Sequence, residues 1–531
     1  MHIRSRTLLV IVTPLALAVG AAYVQWAVAG LPAVAPPAPG AGPQGFPAWL
    51  RITHYFNFLV VVLLVRSGLQ VLMDHPRLYW NVHCTPGTEW ARFTPVAEVP
   101  RDRLYTSKDD ARYLSPWIGL PGGRHTLGLA RHWHFASAVF WVANGLAFYV
   151  LLFSSGQWRR IVPTSWDVIP EAWNVFVHYA TFHLPPEPNG FHQYNALQKL
   201  AYFGAVFLLG PLSVITGPSM SPALVNRYRW YPRIPGNRQI GRSIHFLAMC
   251  AWVVFFIAHV SLVAITGLVR NMNHIVMGTD DLRLTGLLLG AVGIGAVVVA
   301  NAFANGASYR RPRLVQRVTG WIFTPIVKAT IHGAEPLSEY EEKHISPYFW
   351  ANGKIPISDE WKELSKNDFK NYRLQVGGLV ENPVELSLDD LRKMGKKTQI
   401  TLHHCIQGWS GIAEWGGLPM RDLIALVRPK AEVRRVAFYS YGEGGEGGEY
   451  YDSDAIENVR HPQTILAYEM NFEPLTVEHG APLRLRLENQ LGFKMVKWIR
   501  RIEFVVDTKH IRAGEGGYNE DNEFYDTMAD I

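Results

Sequence analysis

Cysteine is nearly absent. Cys84, Cys250 and Cys405 are the only three in 531 residues. Three thiols so far apart cannot staple a small secreted scaffold, so buried apolar surface must hold the fold. Charge is also scarce: 18% of residues are Asp, Glu, Lys or Arg, against 48% hydrophobic. That balance is apolar for a water-soluble chain. The net charge of +7 forms no concentrated patch. Its arginines fall between apolar segments, which argues against a nucleic-acid partner. A phosphate-binding P-loop is missing too. The run Tyr441–Gly448 has neither the Lys-Ser/Thr pair nor a strand-to-helix frame, and reads as a flexible acidic surface loop, with the border of a substrate entrance as the other reading. No twin-arginine signal precedes the first apolar segment.

Long apolar runs are what the chain does have. Six stretches, near 7–29, 50–73, 130–153, 196–217, 243–267 and 283–304, can each cross a bilayer, for which about 20 helical residues suffice. The first is longer than the core of a cleaved signal peptide and reads as an uncleaved anchor, with cleavage as the other reading. A Pro/Ala linker completes a segment 1–48. A membrane domain 49–305, a basic connector 306–345, a soluble domain 346–508 and a tail 509–531 follow. With the N-terminus inside, the inside segments carry 20 Lys and Arg and the outside segments 6. That imbalance predicts a cytoplasmic soluble domain on a multi-pass inner-membrane protein, with the periplasmic side as the other reading. Arg66 lies within a helix, either reaching to the interface or facing a buried anion.

Histidines mark the membrane half for function. His54 opens the second helix, and His132 and His134 open the third. His245 and His259 share the fifth. Fourteen residues separate the last two, which puts them within about 40° of one face and about 21 Å apart along the axis. The third and fifth helices run the same way and the second runs opposite. His134 therefore meets His245 at one surface, and His54 meets His259 at the other. Two stacked bis-histidine sites suit two b-type haems. Any single His here could instead be a packed core residue or a proton relay. His132 and His134 cannot share a face, and His134 is the candidate.

The motifs Thr53-His54-Tyr55-Phe56-Asn57, His75-Pro76-Arg77-Leu78-Tyr79-Trp80, Arg131-His132-Trp133-His134-Phe135 and Asn195-Ala196-Leu197-Gln198-Lys199 resemble the di-haem cytochrome b subunits of thiosulfate reductase and formate dehydrogenase. The resemblance covers roughly residues 50–270. It implies exchange with a membrane quinone or quinol.

Beyond the connector the chain reads as an α+β, strand-rich domain. Strands are predicted at Tyr372–Val380, Val433–Ser440, Leu483–Leu487 and Ile499–Val506, and short helices at Leu388–Met394 and Leu418–Val427. Cys405 is the only cysteine in this half. In its Gly/Trp setting it is a candidate metal ligand or nucleophile, or else a small buried apolar residue.

Several blocks decide between these. They are Cys405 with Trp415-Gly416 and Leu418-Pro419, Val436-Ala437-Phe438, His479-Gly480-Ala481-Pro482-Leu483-Arg484-Leu485, and Gly492-Phe493-Lys494. In order and spacing they resemble the molybdopterin-binding domain of the sulfite oxidase family, especially its methionine-sulfoxide-reductase branch. The resemblance implies that the Cys405 thiolate binds molybdenum. It also implies that Asn352, Ser440, His479, Arg484, Met495, Val496 and Lys497 lie against the pterin and its phosphate. Three departures stand out: His404 where the family has Arg, and Gln407 and His479 where the branch has Glu and Asn. The arginines of true sulfite oxidases after the cysteine are missing.

The predicted protein is an all-α membrane bundle followed by a molybdopterin domain. It would pass electrons between quinone, two haems b and molybdenum, and transfer oxygen to or from an S-oxide, an N-oxide or a sulfite-like anion. The competing expectation is a haem-bearing membrane anchor or sensor with a non-catalytic soluble domain.

Overall fold

The computed structural model describes all residues except 1, 4, 35–42, 101–102, 186–188, 229, 232–233, 332–337, 446 and 528. Most of the Pro/Ala linker and part of the connector fall outside the described residues.

Among the described residues six helices are long and apolar enough to cross a membrane: Val12–Ala29 within Ser5–Ala29, then Ala48–Leu72, Leu127–Ser154, Ala196–Met220, Arg238–Ile265 and Thr285–Arg310. The chain is a multi-pass membrane protein. Each of the last five matches its sequence expectation to within a few residues, because a run of apolar side chains in lipid can satisfy its backbone only as a helix. Their ends carry identifiable caps. Asn195 accepts from the Gln198 amide (2.8 Å) and Gln198 returns the bond to the Asn195 amide (3.1 Å), a capping box that starts the fourth spanning helix. Asn237 accepts from Gln239 and Ile240 and starts the fifth.

The fourth spanning helix is not regular. Gly204–Leu209 is π-helical between Ala196–Phe203 and Gly210–Thr216. Pro211 has no N–H for the ordinary i−4 bond, so the ladder widens in front of it.

The soluble half holds two five-stranded sheets. In one, Lys397–His404 pairs with Ser410–Pro419, which pairs with Ile465–Met470. In the other, Ile499–Val505 lies parallel to Leu374–Gly378 and antiparallel to Arg435–Glu443. Leu374, Val436, Phe438, Leu466, Leu485 and Ile502 form part of one core cluster shared by strands of both sheets. The predicted helix at Leu418 begins at Met420, because Leu418 and Pro419 complete a strand. The helix Leu388–Met394 stands as expected.

The two halves are joined by more than the connector. The connector contains an amphipathic helix, Pro312–Thr330, that packs on the third spanning helix and buries Val315, Thr319 and Phe323. Trp321 on its outer side is 80% exposed. From this helix Arg313 donates to the carbonyls of Glu520 and Asp521, and Gln316 to those of Phe524 and Tyr525. The residues read as a tail are thereby fixed against the bundle. The loop between the second and third spanning helices is fastened by Arg77, fully buried, in a two-pronged bond to Asp110 (2.7 and 3.1 Å) and a further bond to Glu89. Such planar pairing suits Arg and not Lys. Arg66 has neither expected role: it donates to Asn301 Oδ1 (2.7 Å) and to the carbonyls of Pro116 and Gly119, fastening the same loop.

Candidate functional site: paired histidines and a cysteine cleft

The histidines meet as their spacing predicts. His54 and His259 face each other with ring centroids 6.2 Å apart, and His134 and His245 with centroids 6.3 Å apart. Each gap admits a metal ion with bonds of about 2 Å to the two facing nitrogens. Hydroxyl partners orient the rings. Ser67 Oγ lies 3.1 Å from His134 Nδ1, and Thr216 Oγ1 lies 2.9 Å from His245 Nδ1. Each hydroxyl already donates its own hydrogen to a helix carbonyl, Leu63 and Leu212 respectively. It therefore accepts from Nδ1–H, which leaves Nε2 with a free lone pair. This is how outer partners prepare an imidazole for metal. Tyr202 stands in the same relation to His259, at 3.5 Å. Gly68 makes room on the second helix: a Cβ there would lie 3.2 Å from His134 Cε1. His132 turns the other way, is buried, and contacts Thr319 at 3.1 Å on the connector helix. The residues present fit two haems.

Cys405 lies in the tight turn after the strand Lys397–His404 and lines a solvent-connected cleft. Asn352, Ser440, His479, Arg484, Met495 and Lys497 line that cleft with it. Val496 does not; its side chain is wholly buried in the core between the sheets, and its carbonyl accepts from the Leu485 amide. Burial pushes the Cys405 thiol up to about 12, while the amides of Gln407 and Ile406 pull it down. A bound metal ion would remove that proton outright.

The cations of the cleft indicate what is to be bound. Arg484 is buried and Lys497 half-buried, and no described carboxylate forms an ion pair with either. Arg484 Nη1 donates to the His479 carbonyl at 2.8 Å, but its Nε has no partner among the described residues. Lys497 Nζ donates to the carbonyls of Asn352 and Glu478 and lies 4.1 Å from the centre of the Trp498 ring. Burial, and then Arg484, hold the Lys497 ammonium well below its usual range. Two adjacent cations without a carboxylate partner, one of them buried, are costly unless an anion completes the site. A phosphate-tailed pterin supplies one. Gly480 lets the two approach: its φ is +114°, and a Cβ would lie 3.1 Å from both Arg484 Cβ and Lys497 Cβ. Only glycine takes that conformation freely.

His479 and Ser440 act on the frame. His479 Nε2 donates to the Phe349 carbonyl (3.2 Å), and Nδ1 therefore accepts from Thr476 (2.9 Å). Burial, with Lys497 and Arg484, lowers its pKa to about 4, so the ring is neutral. Ser440 donates to the Lys497 carbonyl at 2.7 Å and accepts from the Gly442 amide. Gly442–Gly445, expected as surface loop, follow it along the cleft wall.

Sequence reasoning missed two groups. Lys108, His125, Tyr518, Asn519, Glu523 and Tyr525 also line the cleft, although they come from the membrane-half loop and the tail. Arg238 and Gln239, at the start of the fifth helix, hold the cysteine turn: Arg238 donates to the carbonyls of Cys405 (3.3 Å) and Trp409 (3.4 Å), and Gln239 to that of Gly408 (2.9 Å). The one available signal was a pair of polar residues directly after the Asn237 cap.

Comparison with known proteins agrees with this division. Residues 45–277 match the prokaryotic cytochrome b561 family, and residues 361–511 match the oxidoreductase molybdopterin binding domain. Over 227 residues, 43% of the chain, the protein is 30% identical to a YedZ1 subunit of Azospira oryzae, named for protein-methionine-sulfoxide reductase, and covers 78% of it. It is 31% identical over 152 residues to the protein-methionine-sulfoxide reductase catalytic subunit MsrP of Campylobacter jejuni, covering 26% of this chain and 50% of that one. For MsrP of Xanthomonas axonopodis the identity is 32% over 182 residues, covering 32% and 56%. The chain thus spans about half the length of these curated catalytic subunits. Its membrane half belongs to the cytochrome b561-type family of the YedZ1 subunit, and the chain joins this haem-binding domain to an oxidoreductase molybdopterin binding domain, as in molybdenum-dependent oxidoreductases.

Proposed function

We propose that this protein carries electrons from a membrane quinol through two haems b to a molybdenum centre that reduces a sulfoxide. The observation that carries this reading is the contact between the helix bearing His245 and the turn bearing Cys405. Arg238 touches that turn, and His245 follows two helical turns later, about 10 Å along the axis. His134 and His245 would hold the haem near the cleft. His54 and His259 would hold the distal haem, which faces the quinone.

When bound, the molybdenum-pterin group supplies two-electron redox chemistry and oxygen-atom transfer. Cys405 would ligate the metal, Arg484 and Lys497 would hold the phosphate, and Asn352 and Ser440 would offer polar contacts to the pterin. Trp350, Trp409 and Phe349 line the cleft and pack in one apolar cluster with the cysteine. The sulfoxide is favoured over an N-oxide or sulfite by the names of the relatives. The distribution of Lys and Arg supports a cytoplasmic cleft, which a fluorescent reporter fused after Ile531 would test.

The deciding experiment is the metal and haem content of the detergent-purified protein beside Cys405→Ala. About one molybdenum and two haems b per chain, with molybdenum lost in the variant, support the relay. Haem without molybdenum would leave an electron-carrying membrane module and refute the enzyme.

A further inference from the structure

Three distant segments bring an imidazole and two carboxylates together on the cleft wall. Asp74 follows the second spanning helix, His125 precedes the third, and Glu523 comes from the terminal segment. His125 Nδ1 lies 3.1 Å from Asp74 Oδ1, and Nε2 lies 2.7 Å from Glu523 Oε2. A neutral imidazole carries one hydrogen, so one of these contacts would set a lone pair against a carboxylate oxygen. Nε2 makes the hydrogen bond to Glu523, while Nδ1 stands at ion-pair distance from Asp74 without hydrogen-bond alignment, and a doubly protonated ring turns that repulsion into attraction. Charge balance agrees. Lys108 lies 3.4 Å from Glu523, the Tyr113 ring packs on His125, and Tyr525 bonds to Glu523. With His125 protonated, the two cations and two carboxylates cancel.

The cluster is tied to the cysteine turn. Gln407, two residues past Cys405, donates from Nε2 to the Asp74 carbonyl at 3.3 Å. His125 and Glu523 line the same cleft as Cys405. Asp74 Oδ2 is buried with no hydrogen-bond partner among the described residues, which leaves an acceptor for a water between the cluster and the cleft. All three residues lie outside the matched molybdopterin domain, residues 361–511.

We propose that His125, held between Asp74 and Glu523, is the proton donor for the oxygen that leaves the substrate in this cleft. The proposal rests on the sulfoxide-reducing function argued above. Sulfoxide reduction consumes two electrons, from quinol or a reduced dye, and two protons. The S–O bond breaks, the sulfide is released and the oxygen departs as water. His125 gives one proton and regains it from bulk water through the cleft, and the second proton comes from solvent. Burial opposes charge on the ring, yet Asp74 and Glu523 raise it to about 10. His125 holds Glu523 down to about 2, also against burial.

The test uses the full-length holoenzyme, normalised to molybdenum, reducing methionine sulfoxide with reduced benzyl viologen across neutral and alkaline pH. Glu523→Gln removes one carboxylate and should shift the alkaline limb of turnover toward neutrality. His125→Gln should abolish that limb and lower the neutral rate by roughly 10²-fold, the low end for one acid–base group. Nitrogen NMR of histidine-labelled protein should show a doubly protonated ring at neutral pH that His125→Gln removes. A purely structural cluster would lower activity without moving the limb. An unmoved limb in Glu523→Gln, or a neutral His125 ring, overturns the proposal even if His125→Gln fails to load cofactor. A fully loaded wild type that reduces no sulfoxide overturns the functional reading, and the proton donor with it.

Discussion

The Arg238 guanidinium donates to the carbonyl oxygen of Cys405 across 3.3 Å. One residue belongs to a membrane helix and the other to the soluble domain, so the two cofactor regions share a hydrogen-bonded contact. Gln239 reinforces it through the Gly408 carbonyl, and Arg242 ties the same helix to the membrane-half loop through the carbonyls of Arg77 and His75. Electrons crossing between the regions would follow covalent and hydrogen bonds with no flexible tether between them.

Arg238→Ala should therefore uncouple the halves. Loss of a charged donor to two carbonyls should cost about 1.5–3 kcal/mol locally. Quinol-driven turnover should fall well below dye-driven turnover at unchanged haem content. Equal loss of both activities would place the defect in the cleft itself.

The histidine faces predict a clean separation between neighbours. His134→Ala should remove the haem nearer the cleft, whereas His132→Ala should keep it, because His132 contacts Thr319 and the connector helix. Haem per chain in the two purified variants decides it. Haem loss from His132→Ala would reverse the assignment.

Gly480→Ala places a Cβ where φ is +114° and both Arg484 and Lys497 are 3.1 Å away. Strain of about 1–3 kcal/mol is expected, with the two cations pushed from their places. Molybdenum content should drop while both haems remain. Full molybdenum loading in this variant would show that the cations do not hold the cofactor.

Lys497 predicts a pH dependence of the cofactor-free protein. Burial and Arg484 depress its pKa in the folded state, so between that value and about 10.4 the unfolded chain binds more protons than the folded one. Stability of the cofactor-free domain should thus rise with pH through this window. Lys497→Met should flatten the rise and stabilise the cofactor-free form, yet lower cofactor retention. Thermal unfolding at several pH values, with and without cofactor, checks both signs.

The sequence by itself determined the elements and the chemistry. Apolar runs specify spanning helices because lipid permits no other backbone. The fourteen-residue interval puts His245 and His259 on one face of one helix, and helix direction pairs each with its partner. The blocks around Cys405, His479 and Arg484 pointed to a molybdopterin-type domain through their resemblance to a known family, which local residue types and order can carry. Val496 illustrates the limit of such reading: it adjoins Lys497 in the chain, but alternation along the backbone turns it into the core.

Only tertiary structure decided how the halves meet. The bond from Arg238 to Cys405, the buried Arg77–Asp110 pair and the Asp74–His125–Glu523 cluster join residues with no periodic relation in the chain. Each depends on where loops and the terminal segment return after the helices and sheets have packed. Charged and polar side chains at such returns pair over long sequence separations, and no local pattern encodes which partners the packed bundle will present.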